Sequence, residues 1–219
     1  MAVGYSPRIV TDGLVLCLDA ADPKSYNGSG TNWVDRSGSG NNGTLLNGPT
    51  YSNGIFSFDD TNDAVSVNIS LNSTYYSVEV WLNPSLVRNY NFQYGFSSPS
   101  GTGWGSFLSH TTTLGQVYIG TNVATRITPW ASNVYELNKW HCFMWTFSNG
   151  TGKFYKNGEL EAEKSGMTIS SNFTSFFYGG QTQGSSVYGK SSQIRIYNRA
   201  LTPDEIQQNY NATKGRFGL

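Results

Sequence analysis

Charge is what this sequence has least of. Asp, Glu, Lys and Arg make up 13% of its 219 residues and cancel to a net charge of +0, about half the usual charged share. A protein that neutralises phosphates needs a basic excess, so neither nucleic acid nor an anionic membrane is expected as a partner. Cysteine is nearly absent. Cys17 and Cys142 are the only two, each inside an apolar run, and His110 and His141 are the only imidazoles, so no metal-ligand spacing arises from them. Two buried thiols and a disulfide between distant strands both remain open. No apolar run approaches the roughly 20 residues that span a bilayer. The first ten residues, "MAVGYSPRIV", lack the basic and apolar regions of a secretory signal. The expectation is a chain made soluble inside a cell, reaching the outside, if it does, by assembly into a particle. No Gly-x-Ser-x-Gly, phosphate loop or His-based triad is present.

What is there favours strands. Tyr, Phe and Trp make up 15% of residues, and Asn, Ser, Thr and Gly are abundant. "GLVLCLDA" (13–20), "NGTLLN" (42–47) and "GIFSFDD" (54–60) are short runs bounded by turn residues. In "YSVEVWLNP" (76–84), Val78, Val80 and Leu82 alternate with Glu79 and Trp81 until Pro84 ends the run. "WHCFMWTFS" (140–148) is the most hydrophobic run, with Phe143, Trp145 and Phe147 on one face, and it reads as a central strand. "GKFYKNGELEAEK" (152–164) is a hairpin with Asn157-Gly158 at its tip, because a type I′ turn needs positive φ at both central residues. "SQIRIYN" (192–198) is the last strand. Many short strands separated by turns predict a sandwich or jelly roll, folded as one domain over 1–219 with an N-terminal arm at 1–10.

One helix is expected, over 203–213. Thr202 is its N-cap, Pro203 its first residue and Glu205 the partner in a capping box. Leu201 and Ile206 form a hydrophobic staple, Ile206 and Tyr210 share a face, and Gly215 is the expected stop.

In this order the pieces resemble the laminin-G-like branch of the concanavalin A-like jelly rolls. "DGLVLCLDA" (12–20) is similar to that family's first strand, and "DRSGSGNNGT" (35–44) to its Asp-x-Ser-Gly loop. "FDDTNDAVSV" (58–67), "SVEVWLNP" (77–84), the run 140–160 and "IRIYNRALTPDEI" (194–206) resemble the later strands and the closing helix. Positions 89–134 depart from the pattern. The resemblance implies an all-β sandwich of two antiparallel sheets with one short C-terminal helix. A second resemblance is to structural proteins of tailed bacteriophages. It implies a virion protein without enzymatic activity, most simply a capsid decoration or cement protein rather than a tail or fibre component. Such a protein would bind other virion proteins and itself as a symmetric homo-oligomer, through 1–10 and 89–134. The alternative is a lectin or carbohydrate-binding module that recognises host glycans.

The residues bear on these readings. Retaining glycanases need two carboxylates about 5 Å apart, and the strand 77–83 offers Glu79 alone, while Glu159, Glu161 and Glu163 sit on a hairpin arm as a solvated row. The resemblance implies Ca²⁺ as the ion a member binds, with Asp35 and the cluster Asp59, Asp60 and Asp63 as oxygen ligands. The alternative is that Asp35 and the neighbouring Asn41 and Asn42 simply make Asx-turns. Trp104, Tyr94 and Trp130 are the aromatics singled out as sugar platforms.

Overall fold

The period-two alternation read in the sequence builds two facing sheets. The structure is a computed structural model that describes residues 8–59, 61–86, 92–97, 104–110, 117–120, 136–168, 172–179 and 188–219, with backbone only for 92–94, 97, 104–110 and 117–120. Among these residues the elements are β1 (Leu14–Asp19), β2 (Asn32–Trp33), β3 (Gly43–Leu46), β4 (Thr50–Ser52), β5 (Ile55–Asp59), β6 (Ala64–Leu71), β7 (Tyr75–Pro84), β8 (Phe92–Ser97), β9 (Trp104–His110), β10 (Val117–Gly120), β11 (His141–Ser148), β12 (Thr151–Lys156), β13 (Glu159–Lys164), β14 (Phe173–Gly179), β15 (Tyr188–Tyr197), α1 (Pro203–Thr213) and a 3₁₀ turn (Lys214–Phe217). One sheet has eight strands in the order β13-β12-β11-β7-β15-β5-β4, with β1 also on β15. The other has seven, in the order β10-β9-β8-β14-β6-β3-β2. All pairings are antiparallel. This is the jelly-roll sandwich that the sequence predicts.

The core lies between the sheets. Val78, Val80 and Leu82 of β7, Phe143, Trp145 and Phe147 of β11, and Ile194 and Ile196 of β15 face Val65, Val67, Ile69, Phe173, Phe176 and Tyr178 of the second sheet. Trp145 is fully buried, and its indole N–H donates to the Tyr76 hydroxyl at 3.0 Å. Gly152 makes room for the ring: a Cβ there would lie 2.0 Å from a Trp145 ring carbon. The hairpin tip has φ of 52° at Asn157 and 88° at Gly158, as the turn requires. Cys17 and Cys142 are both free and buried.

The helix packs on the outer face of the eight-stranded sheet, where Ile206 and Leu201 join Val10, Met144, Tyr155 and Tyr197 in a second cluster. Its capping box is complete, with the Glu205 N–H donating to Thr202 Oγ1 and the Thr202 N–H to the Glu205 carboxylate. The helix spans Pro203–Thr213 as expected, but Gly215 is not the left-handed residue that ends the segment. The helix passes into the 3₁₀ turn, and the left-handed residue is Gly218, φ 75°. The extra turn carries Phe217 onto Trp81, ring centroids 4.1 Å apart, and Trp140, 4.7 Å. That contact outweighs an earlier stop.

Two outcomes follow. Trp145→Ala should lower the unfolding free energy by about 3–5 kcal/mol, the range for large core aromatics, and an unchanged urea midpoint would mean the core is packed otherwise. Glu205 is held down to about 2, first by its hydrogen bonds from Arg199 and despite some desolvation. Its folded value is depressed from the unfolded value of about 4.3. The stability it contributes is therefore complete above that value and lost as pH falls toward 2. The difference in melting temperature between the wild type and Glu205→Gln should shrink over that window and stay constant above pH 6.

Candidate ligand-binding face

Strand register divides the outer face of the eight-stranded sheet in two, since directly opposed residues share a face. The first half is closed. Glu79 of β7 opposes Arg195 of β15, and the two form a buried ion pair. Asn209 of α1 donates from Nδ2 to Glu79 Oε2 and to the Tyr197 hydroxyl, both at 2.9 Å, and its Oδ1 accepts from the Val10 N–H at 2.8 Å. Arg195 donates to Gln193 Oε1 at 3.0 Å, Gln193 donates to Asp19 at 2.7 Å, and Arg216 grips Asp19 with two bonds of 2.8 and 2.9 Å. Glu79 is 1% exposed. The one acid on the strand expected to carry glycanase chemistry is thus a structural ion-pair partner, with both oxygens committed.

The second half is open. Asn83, Lys190, Ser57 and Thr50 form one cross-strand row over β7, β15, β5 and β4, and Tyr188 opposes Asp59 in the next row. Phe56 and Phe58, which flank Ser57, point into the core, so this grid faces outward. Lys190, Thr50 and Asp59 are exposed, and Tyr188 is 42% exposed. Thr50, Ser57, Asp59, Tyr188 and Lys190 of this grid line a hollow of ≈ 300 Å³ that Gly48, Ser85 and Asp63 complete. Asp63 is buried, and its Oδ2 accepts from the Asp59 N–H at 3.0 Å. Burial pushes its carboxyl up, and the neighbouring Asp59 charge pushes the same way. The Asn83 side-chain carbonyl at the end of the row has no hydrogen-bond partner among the described residues. An aromatic plate beside hydroxyls, carboxylates and an ammonium can stack on a sugar ring and hydrogen-bond its hydroxyls.

The sequence-derived site residues fall out as follows. Asp59 and Asp63 meet at this hollow, and Asp60 lies outside the described residues. Asp35 is elsewhere and buried. Its Oδ1 accepts from the N–H groups of Cys17 and Ser37, both 2.8 Å, and its Oδ2 from the Ser37 hydroxyl, 2.7 Å, and the Asn41 N–H, 3.0 Å. Asn42 Oδ1 accepts from the Asp35 N–H, and Asn41 Nδ2 donates to the Val15 carbonyl. Four donors fill the acceptor sites of a carboxylate, so Asp35 does not fit a calcium ligand. It ties its loop to β1. Among the described residues no three His, Cys, Asp or Glu side chains converge on a point. Trp130 lies outside the described residues, and Tyr94 and Trp104 are described only as backbone positions on β8 and β9. The row Glu159, Glu161, Glu163 lies on β13, where Lys153 and Lys156 pair with Glu163 and Glu161, both at 3.4 Å. Sequence reasoning missed Tyr188, Lys190 and Asn83. The signal for Tyr188 and Lys190 was the start of the strand "YGKSSQIRIY", where these two exposed residues flank the buried Gly189.

Two antiparallel sheets closed by a C-terminal helix define a lectin-type jelly-roll sandwich. Residues 58–207 match the Laminin_G_3 model, described as the concanavalin A-like lectin/glucanases superfamily, and the chain belongs to that family. Among solved structures it is similar to Trypanosoma rangeli sialidase in complex with sialic acid (TM-score 0.71, 16% identity, 92% of this chain and 33% of that one). It is also similar to domain 4 of AbnA, a GH43 extracellular arabinanase from Geobacillus stearothermophilus, in complex with arabinotriose (TM-score 0.70, 16% identity, 90% of this chain and 98% of that one). The chain spans about a third of the length of the sialidases it matches and nearly all of the arabinanase domain. At these identities the likeness is one of fold. Comparison with curated proteins returned no match.

Asp35→Asn should lower stability by about 1.5–3 kcal/mol, the worth of charge-assisted hydrogen bonds, and by the same amount in Ca²⁺ as in EDTA. A loss confined to Ca²⁺ would show that Asp35 turns its oxygens to an ion.

Proposed function

We propose that the protein is a non-catalytic carbohydrate-binding domain whose ligand lies on the open half of the outer face. The observation that carries this reading is the exposed Tyr188 ring set in register with Asp59, Lys190, Ser57 and Thr50 around one hollow. The burial of Glu79 against Arg195 and Asn209 argues against glycanase chemistry on that strand. A similar domain in complex with arabinotriose supports a glycan as the ligand class.

The phage-virion setting is a second, compatible reading, favoured by low charge and abundant Asn, Ser and Thr. Such a composition makes wet contacts that gain from multivalency on a particle. There the domain would sit as a decoration or fibre-associated protein and present this face to host glycans. Deletion of 1–7 should release it from the particle without unfolding it, and retention of the deleted form would exclude that arm as the anchor.

Glycan-array screening followed by calorimetry tests the first reading. Tyr188→Ala should weaken binding of the best glycan by about tenfold, a loss of about 1.4 kcal/mol, while leaving the melting temperature in place. Undiminished affinity in that variant would remove this face from consideration.

A further inference from the structure

The charges at the hollow narrow the ligand further, an inference that rests on the carbohydrate-binding reading above. Two carboxylates, Asp59 and Asp63, stand together at one end, and Lys190 is the only cation among the described residues that line the hollow. The two acids are coupled through the backbone, since the Asp59 N–H donates to Asp63 Oδ2 at 3.0 Å and the Thr61 N–H donates to Asp59 Oδ1 at 2.9 Å. Neither carboxylate can therefore swing away to make room for another anion without giving up a backbone bond. Tyr188, directly opposite Asp59 across the strands, places its ring within reach of the same ligand.

We propose that this hollow takes a neutral glycosyl unit with adjacent free hydroxyls and rejects sialic acids and uronates, with Asp59 as the residue that sets this specificity. Carboxylates are acceptors only, and a pair of neighbouring sugar hydroxyls supplies the two donors that one carboxylate accepts side by side. The ring's C–H face lies on Tyr188, and Lys190 donates to a third oxygen. A ligand carboxylate in the same place would meet two like charges against one opposite charge. Like charges within a few ångströms in a partly dry site repel strongly. A hollow of ≈ 300 Å³ is at the lower end of small-ligand sites, so one sugar ring is recognised and the rest of the chain lies outside. The likeness to a sialidase fold therefore does not carry sialic acid recognition to this site.

The experiment uses the full chain and matched pairs of oligosaccharides, each neutral glycan beside its sialylated or uronate-bearing counterpart, titrated by calorimetry against wild type, Asp59→Asn and Tyr188→Ala. Asp59 is exposed, so its substitution leaves the fold intact, and an unchanged melting temperature checks this. The expected result is a neutral ligand bound at least tenfold more tightly than its acidic partner, with that preference shrinking severalfold in Asp59→Asn and both affinities falling in Tyr188→Ala. Equal or tighter binding of the acidic partner, still sensitive to Tyr188→Ala, overturns the specificity and leaves the carbohydrate reading standing. So does a preference that Asp59→Asn does not change. Binding of neither class, or binding indifferent to Tyr188→Ala, overturns both.

Discussion

The ion pair between Glu79 and Arg195 is the constraint on which the outer half of the molecule depends. Two charges taken out of water cost several kcal/mol each, and their attraction offsets this only when their remaining hydrogen-bonding capacity is filled. Arg195 spends one guanidinium nitrogen on Glu79 and another on Gln193, and its Nε alone has no partner among the described residues. Burial lowers its proton affinity, and the adjacent Glu79 charge together with the Cys17, Tyr197 and Cys142 side chains raises it by more, so Arg195 stays charged. The second oxygen of Glu79 is filled from outside the sheet, by Asn209. That requirement fixes where α1 docks. Because Asn209 also bonds Val10 and Tyr197, one amide ties the helix to the segment ahead of β1, to the last strand and to the central strand β7.

The same docking decides which part of the face is left open. Beyond Asn209 the chain continues through Thr213, whose hydroxyl donates back to the Asn209 carbonyl, into the 3₁₀ turn. Arg216 anchors this turn on Asp19, and Phe217 lies between Trp81 and Trp140. Trp81 is the residue of β7 on which this turn lies. Asn83, two positions on, begins the row that leads to Lys190, Ser57 and Thr50. The boundary between scaffold and site is one step of the β-pleat.

Much of this was legible in the sequence where the signal is local. The jelly-roll class followed from alternation and turn residues, the hairpin from Asn157-Gly158, and the helix start from Thr202, Pro203 and Glu205. Each depends on residues within a few positions of one another. The helix end at Thr213 was legible as well; the 3₁₀ turn beyond it was not, because Gly215 carries an ordinary stop signal and the reason for the extra turn is a ring, Trp81, more than 130 positions away in the chain. The candidate site was legible only in part. Asp59 and Asp63 stood out as a cluster, but Tyr188 and Lys190 meet them only through the pairing of β5 with β15, and no local pattern announces a register. Asp35 and Asn41 drew attention through a loop motif, and their chemistry is that of the loop itself: every oxygen of Asp35 is spent on holding the turn to β1.

The open half differs in kind from the other polar surfaces of this sheet. On the β12–β13 hairpin Lys153 directly opposes Glu163 and pairs with it, so that surface neutralises itself. In the open rows the opposition is different. Lys190 faces Asn83 on one side and Ser57 on the other, and Asp59 faces Tyr188. No cation stands opposite an anion there. A self-neutralised row offers a ligand little, because binding must first break the pairs that are already made. A row of charges set opposite hydroxyls, amides and an aromatic ring keeps its hydrogen-bonding capacity directed outward, at the cost of a small, permanently hydrated patch. Closing one half of the face with an ion-pair network makes that arrangement tolerable in the other half. The scaffold's stability is secured under α1, and the exposed rows are free to be chosen for what they bind.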